Sequence, residues 1–95
     1  MRAFVAEQYL PADGAAAAAR GADAAVRAAE QLTREGTPVR FVRSIFVPED
    51  ETCFHLYLAE SIEAVRAATG RADLRVEHVA EALSHSGSTQ DREAL

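Results

Sequence analysis

The sequence predicts an α+β fold in which two helices cover one face of an antiparallel sheet. Four short stretches are rich in β-branched and aromatic residues, and two other stretches carry helix formers at helical spacing. The two kinds of stretch follow the order β, α, β, β, α, β. That order is typical of the ferredoxin-like arrangement, a four-stranded sheet with one uncovered face.

The first strand and first helix are delimited by proline and glycine. A strand is predicted over residues 2–10, closed by Pro11, and an alanine-rich helix over residues 13–35. Gly36 follows this helix, as expected of a residue in the left-handed conformation. Gly21 costs about 1 kcal/mol relative to alanine in a helix interior. We therefore expect the alanine run before it to form a separate or frayed turn.

The second half begins with a β-hairpin and ends with a helix and a strand. The hairpin strands are predicted at residues 39–47 and 52–59, the second helix between Ser61 and Gly70, and the last strand at residues 77–83. Ser61 is the expected N-cap. The acidic hairpin turn, residues 48–51, is predicted to be solvated. One domain thus spans residues 1–83, followed by a polar tail, residues 84–95, that we predict to be disordered.

Composition limits the classes of function. The 95 residues carry 10 Lys+Arg, all of them arginine, against 15 Asp+Glu, for a net charge of −5. Nucleic-acid binding needs a clustered basic face, so a nucleic-acid partner is not expected. The single cysteine excludes an internal disulfide, and no apolar run is long enough to predict a membrane span. We predict a cytoplasmic protein whose modest core is completed by a second copy.

The alternation in the third strand suggests which side chains face the helices. Phe54, Leu56 and Leu58 form an uninterrupted apolar set, which we place under the helices. The alternate set would then face outward from the uncovered side, joined by two residues of the first strand. These predicted outward residues are Cys53, His55, Tyr57, Glu7 and Tyr9.

The second strand leaves two orientations open. Val39, Phe41 and Ile45 compete with Val42 and Phe46 for the helix side, and Arg43 shares a face with the first set.

If the first set lies on the open face, Arg43 stands among apolar side chains and would need a carboxylate partner when that face is covered, for which Glu7 and Glu81 are the candidates. The alternative of equal weight is an edge-strand arginine that extends to water.

The candidate catalytic residues are His55 and Glu7. A Cys53–His55 pair is disfavoured because residues i and i+2 of a strand stand about 6.5–7 Å apart at Cα. His55 and Glu7 lie on strands expected to be neighbours, and they form a better acid–base pair. No histidine or cysteine spacing typical of a metal site occurs, and no glycine-rich phosphate loop is present.

The hairpin VRFVRSIFVPEDETCF resembles that of a family of small bacterial ferredoxin-like domains typified by an actinobacterial nickel-binding protein. FVAEQYLP resembles the family's opening, LYLAESIEAVRAA a middle segment and ADLRVEHVAEAL the closing strand. The resemblance implies the ferredoxin-like fold, a homodimer and divalent-metal binding, with nickel as the only cofactor suggested. By the same resemblance, Glu7 and Glu81 match glutamates of the family.

Three positions depart from the family pattern. Arg43 and Ala67 stand where nickel-binding relatives have histidine, and Leu58 stands where glutamate is usual. A guanidinium carries a fixed positive charge and cannot ligate a cation. We therefore assign no metal ligand on this basis.

Two functional hypotheses follow. The first is a homodimeric binding protein whose open sheet face forms a pocket for a small organic ligand, with nickel as the family's alternative ligand. Its predicted ligand-binding residues are Glu7, Arg43, His55, Tyr57 and Glu81. The second is a cofactor-independent isomerase or cyclase in which His55 or Glu7 is the general base and Arg43 stabilises an enolate or carboxylate.

Overall fold

A computed structural model describes residues 1–85 and Gly87. Its elements are β1 (Arg2–Tyr9), α1 (Ala15–Arg34), β2 (Val39–Val47), β3 (Thr52–Ala59), α2 (Ile62–Arg71) and β4 (Val76–Ala82). The sheet has the order β2-β3-β1-β4, and its neighbouring strands are antiparallel. The predicted ferredoxin-like α+β fold is confirmed. Most of the tail predicted at residues 84–95 lies outside the described residues.

Helix α1 is one continuous helix of 20 residues. The expectation that its alanine run forms a separate turn is wrong, and the structure shows what Gly21 provides instead. A Cβ atom at this position would stand 3.2 Å from Cδ2 of Leu74, in the segment before β4. Glycine thus lets that segment approach the helix closely. Gly36 has φ +102°, which confirms the predicted left-handed residue after the helix.

Helix α2 begins at the predicted cap. Ser61 has an extended backbone, and its Oγ accepts a hydrogen bond from the amide of Ala64 at 3.2 Å. Val65 and Ala68 are buried and join the main core cluster. Neither helix in the described part of the chain is both long enough and apolar enough to cross a membrane.

Large sheet side chains fill the core beneath two alanine-rich helices. Phe4 and Tyr57 are almost completely buried against small helix residues such as Ala25, Ala29 and Ala68. Along β3, Cys53, His55, Tyr57 and Ala59 are buried and the alternate residues are half-buried. The prediction that Phe54, Leu56 and Leu58 lie under the helices is therefore wrong. Because alanine fills little space, the sheet must supply the aromatic side chains of this layer.

A β-bulge resolves the ambiguity of β2. Cross-strand pairing shifts between Phe41 and Arg43, so that Val42 is the extra residue. Val39 and Phe41 pack with the core, whereas Arg43 pairs with Leu56 on the opposite side. The first candidate set is consequently divided between the faces, since Ile45 pairs with Phe54 on the side away from the helices.

Candidate functional site

The candidate site is the open face, the side of the sheet that no helix covers. Strand registers place Arg43, Leu56, Val5 and Ala80 in one row across it, and Ile45, Phe54, Glu7 and His78 in the next. A third row holds Arg40, Leu58, Ala3 and Ala82. We use the term open face for these twelve residues. Its centre is apolar, whereas its ionisable groups lie toward the two edges.

Positive charge lies at one edge of the open face and negative charge toward the other. Arg40 and Arg43 project from β2, an edge strand. Glu7 on β1 stands directly opposite His78 on β4, the other edge strand. His78 is exposed, and its pairing with Glu7 was not predicted from the sequence. That pair continues the regular register of β1 and β4, which shifts only beyond it, where Gln8 pairs with Val76.

His55 lies in the core, on the side of the sheet opposite Glu7. Its cross-strand partner is Ala6, and its ring is fully buried. The Nε2 atom donates to Oε1 of Gln8 at 2.8 Å, and the hydroxyl of Ser44 donates to Nδ1 at 2.6 Å. The prediction that His55 and Glu7 form an acid–base pair in one pocket is therefore wrong, because the sheet separates them.

The buried polar cluster around His55 favours neutral side chains. Burial lowers the pKa of His55 to about 4, so the imidazole is uncharged at neutral pH. Burial also raises the pKa of the Cys53 thiol, against a smaller opposing effect of its hydrogen bond with Ser44. Gln8 and Ser44 were not identified from the sequence. They become recognisable as partners of His55 only once the strands are paired.

Tyr57 is also a core residue rather than an open-face ligand. It is fully buried, and its ring meets that of Phe41 edge to face, with the centroids 5.5 Å apart. Burial raises the pKa of its hydroxyl, which has no hydrogen-bond partner within the described part of the chain. Its predicted place on the open face is wrong, for the same reason as that of His55.

Glu81 faces the helix side at the edge of the sheet. It pairs across the strands with Phe4 and forms an ion pair with Arg2, whose Nε lies 3.5 Å from Oε2 of Glu81. The Arg2 guanidinium also stands 5.2 Å from the centre of the Phe4 ring. Glu81 is thus excluded as the carboxylate partner of Arg43, which lies on the other face.

The acidic turn between β2 and β3 is largely exposed, as predicted. Pro48, Glu49 and Asp50 form a 3₁₀ turn, which Glu51 closes in the left-handed conformation at φ +50°. The Glu51 carboxylate accepts a hydrogen bond from the amide of Ala12 at 3.0 Å, so its role here is structural.

The donor set of one chain does not match a metal centre. Among residues 1–85 and Gly87, no group of three or more histidine, cysteine or acidic side chains converges on one point. On the open face, only Glu7 and His78 stand together. Two donors leave most of the coordination shell of a transition metal to other ligands.

Comparison with known proteins identifies relatives of this domain. A family described as nickel responsive protein SCO4226-like matches residues 4–82. The structure is similar to the crystal structure of SCO4226 from Streptomyces coelicolor A3(2), with a TM-score of 0.73 and 16% sequence identity. The similarity covers 88% of this chain and 99% of that one. At this identity it concerns the fold alone. No curated protein matches the chain.

Proposed function

We propose, given that this chain belongs to the SCO4226-like family of nickel-responsive proteins, that it is a homodimeric binding domain for a small organic ligand. The open face supports this proposal. It exposes a contiguous apolar centre of Val5, Phe54, Leu56 and Leu58 that no element of the described chain covers. Continuous apolar patches on small domains mark interaction surfaces.

The arrangement of charge favours a second copy as the partner of the open face. In face-to-face packing, a two-fold axis parallel to the strands sets β2 of one copy over β4 of the other. Arg43 then stands above Ala80 of the second copy, beside that copy's Glu7 and His78. The basic edge of each copy meets the acidic edge of its partner, so the face is complementary to itself.

Small side chains in the same region would leave room for a ligand. Ala3, Ala80 and Ala82 share the β1–β4 half of the open face. Beneath Arg43 of the partner, they would bound a pocket with apolar walls and a few polar groups, which is the usual make-up of a small-molecule site. A guanidinium has five donors and can hold both a protein carboxylate and an acidic group of the ligand.

Nickel fits the residues of this chain less well than an organic acid does. Glu7 and His78 supply two donors, and a guanidinium replaces the histidine that the sequence resemblance led us to expect at position 43. Its fixed positive charge opposes a divalent cation nearby. The isomerase or cyclase alternative keeps only one of its two candidate bases, Glu7, since His55 is buried on the other side of the sheet and its lowered pKa makes it a weak base.

Titration with benzoate and with nickel chloride tests this function. We expect benzoate to shift the amide NMR signals of the open-face strands saturably in the wild type and not in Arg43→Ala. Nickel should give no saturating heat at micromolar concentration in calorimetry of tag-free protein. Saturable nickel binding that His78→Ala abolishes would assign the face to the metal instead. If neither ligand binds, the remaining hypothesis is a dimer with a purely structural role.

A further inference from the structure

A second concave surface lies on the helix side of the sheet, away from the open face. It is a groove of about 540 Å³ between α1 and the edge strand β2. Ala29, Val39 and Phe41 line it from the core, and Val26 and Met1 are more exposed lining residues. Its volume lies within the range of small-molecule sites, roughly 300–1,000 Å³.

Apolar side chains in the groove remain exposed to solvent in the folded chain. The exposed fraction is 42% for Val26 and 61% for Met1. Val26 lies next to the buried residues of α1 but is not itself buried. Its side chain therefore contributes little hydrophobic stabilisation to the folded chain. An occupant with an apolar body would cover these side chains together with the half-buried Phe41.

Two arginines give the groove an excess of positive charge. Arg34 in the last turn of α1 and Arg40 on β2 line it, against the single carboxylate of Glu30. The arginines that form ion pairs among the described residues are Arg2 and Arg71, both elsewhere. On a chain of net charge −5, two arginines beside an apolar groove are complementary to an anion.

We propose that this groove binds a carboxylic acid with an unbranched apolar chain. The carboxylate would lie between Arg34 and Arg40, where guanidinium groups can bind it through paired hydrogen bonds. The chain would lie over Val26, Val39 and Phe41. Arg40, on the edge strand β2, borders both surfaces, but the other lining residues of the groove are not part of the open face, so this proposal does not rest on the function proposed for that face.

Titration of the full chain with dodecanoate, below its micelle concentration, tests the proposal. We expect saturable shifts in the amide NMR signals of α1 and β2. Val26→Asp should weaken binding about tenfold, because it places a charge against the apolar chain. Arg40→Gln should weaken it about fivefold, whereas Arg27→Gln, an exposed change on the same helix outside the groove, should not alter it. Circular dichroism would verify that each variant is folded.

Dodecyltrimethylammonium is the charge control for this experiment. It has the same chain length and the opposite charge, so it should bind more weakly than dodecanoate. Equal affinity for the two probes, shifts confined to the open face, or unchanged binding by Val26→Asp would each overturn the proposal. Because benzoate reports on the open face and dodecanoate on the groove, failure of one function is distinguishable from failure of the other.

Discussion

His55 is a titratable side chain that the fold encloses completely. Both ring nitrogens are hydrogen-bonded, one to Gln8 and one to Ser44. A neutral imidazole satisfies these two partners, since it donates at Nε2 and accepts at Nδ1. Protonation would add a second donor facing the Ser44 hydroxyl and place a charge in the core. The cluster therefore stabilises the fold only while His55 is neutral.

The free energy of unfolding should depend on pH through this residue. The folded pKa of about 4 lies below the unfolded value of about 6.5, so between these pH values the unfolded chain binds more protons. The contribution of neutral His55 is complete above pH 6.5 and is lost as pH falls toward 4, by about 3 kcal/mol in total. Urea unfolding of the wild type and of His55→Gln across this range should show the difference.

NMR titration of the His55 ring supplies an independent measurement of the same pKa. A ring that titrates near pH 6.5 in the folded protein would contradict the prediction, as would identical pH profiles for the wild type and His55→Gln.

The side of the sheet to which each side chain points was the hardest property to predict from the sequence. Assigning Phe54, Leu56 and Leu58 to the helix side assumed that the most apolar set lies in the core of one chain. Here the helices present alanine and require Tyr57 and Phe4 from the sheet, so the set rich in leucine is left for the open face. The alternation of a strand does not state which of its two apolar faces packs under the helices of its own chain.

At the scale of elements, prediction was accurate because its signals are local. Ser61, Gly36 and the prolines delimit helices and strands through their own backbone preferences. The bulge at Val42 was missed because no glycine or proline marks it, and its place depends on pairing with β3. The strand order followed from the predicted ferredoxin-like fold and not from a signal in any single strand.

The two helical glycines predict opposite responses to alanine. A Cβ atom added at Gly70 in α2 would meet no tertiary neighbour within 4 Å, so Gly70→Ala should stabilise the fold by roughly 0.5–1 kcal/mol. Gly21→Ala gains the same helix propensity but forces Leu74 aside, since its Cβ would lie 3.2 Å from Cδ2. We expect little or no net gain there. Urea midpoints of the two variants provide the comparison, and equal stabilisation would contradict a tight contact at Leu74.

For the whole molecule, the separation of charge across the open face predicts how two copies associate. Arg43→Glu and Glu7→Arg should each weaken the proposed dimer, because each variant sets like charges against one another across the two-fold axis. Combining both substitutions restores opposite charges and should recover most of the association. Sedimentation equilibrium measures the dissociation constants.

Arg66→Glu on the exposed surface of α2 is the matched control, and it should leave the dimer unchanged. A double variant that associates no better than the single variants would rule out direct pairing between these edges. An axis perpendicular to the strands would then be the alternative, since it sets β2 over β2.

The bulge at Val42 also affects how this domain can change its binding chemistry. Before it, β2 directs Val39 and Phe41 into the core, and after it Arg43 points away from the core. A substitution at position 43 therefore changes the chemistry of the open face without disturbing a packed aromatic layer. Because of this one extra residue, the side chain at position 43 can differ without a change in the stability of the core. Under the function proposed for the open face, a substitution at position 43 would change which ligand is preferred while the scaffold stays the same.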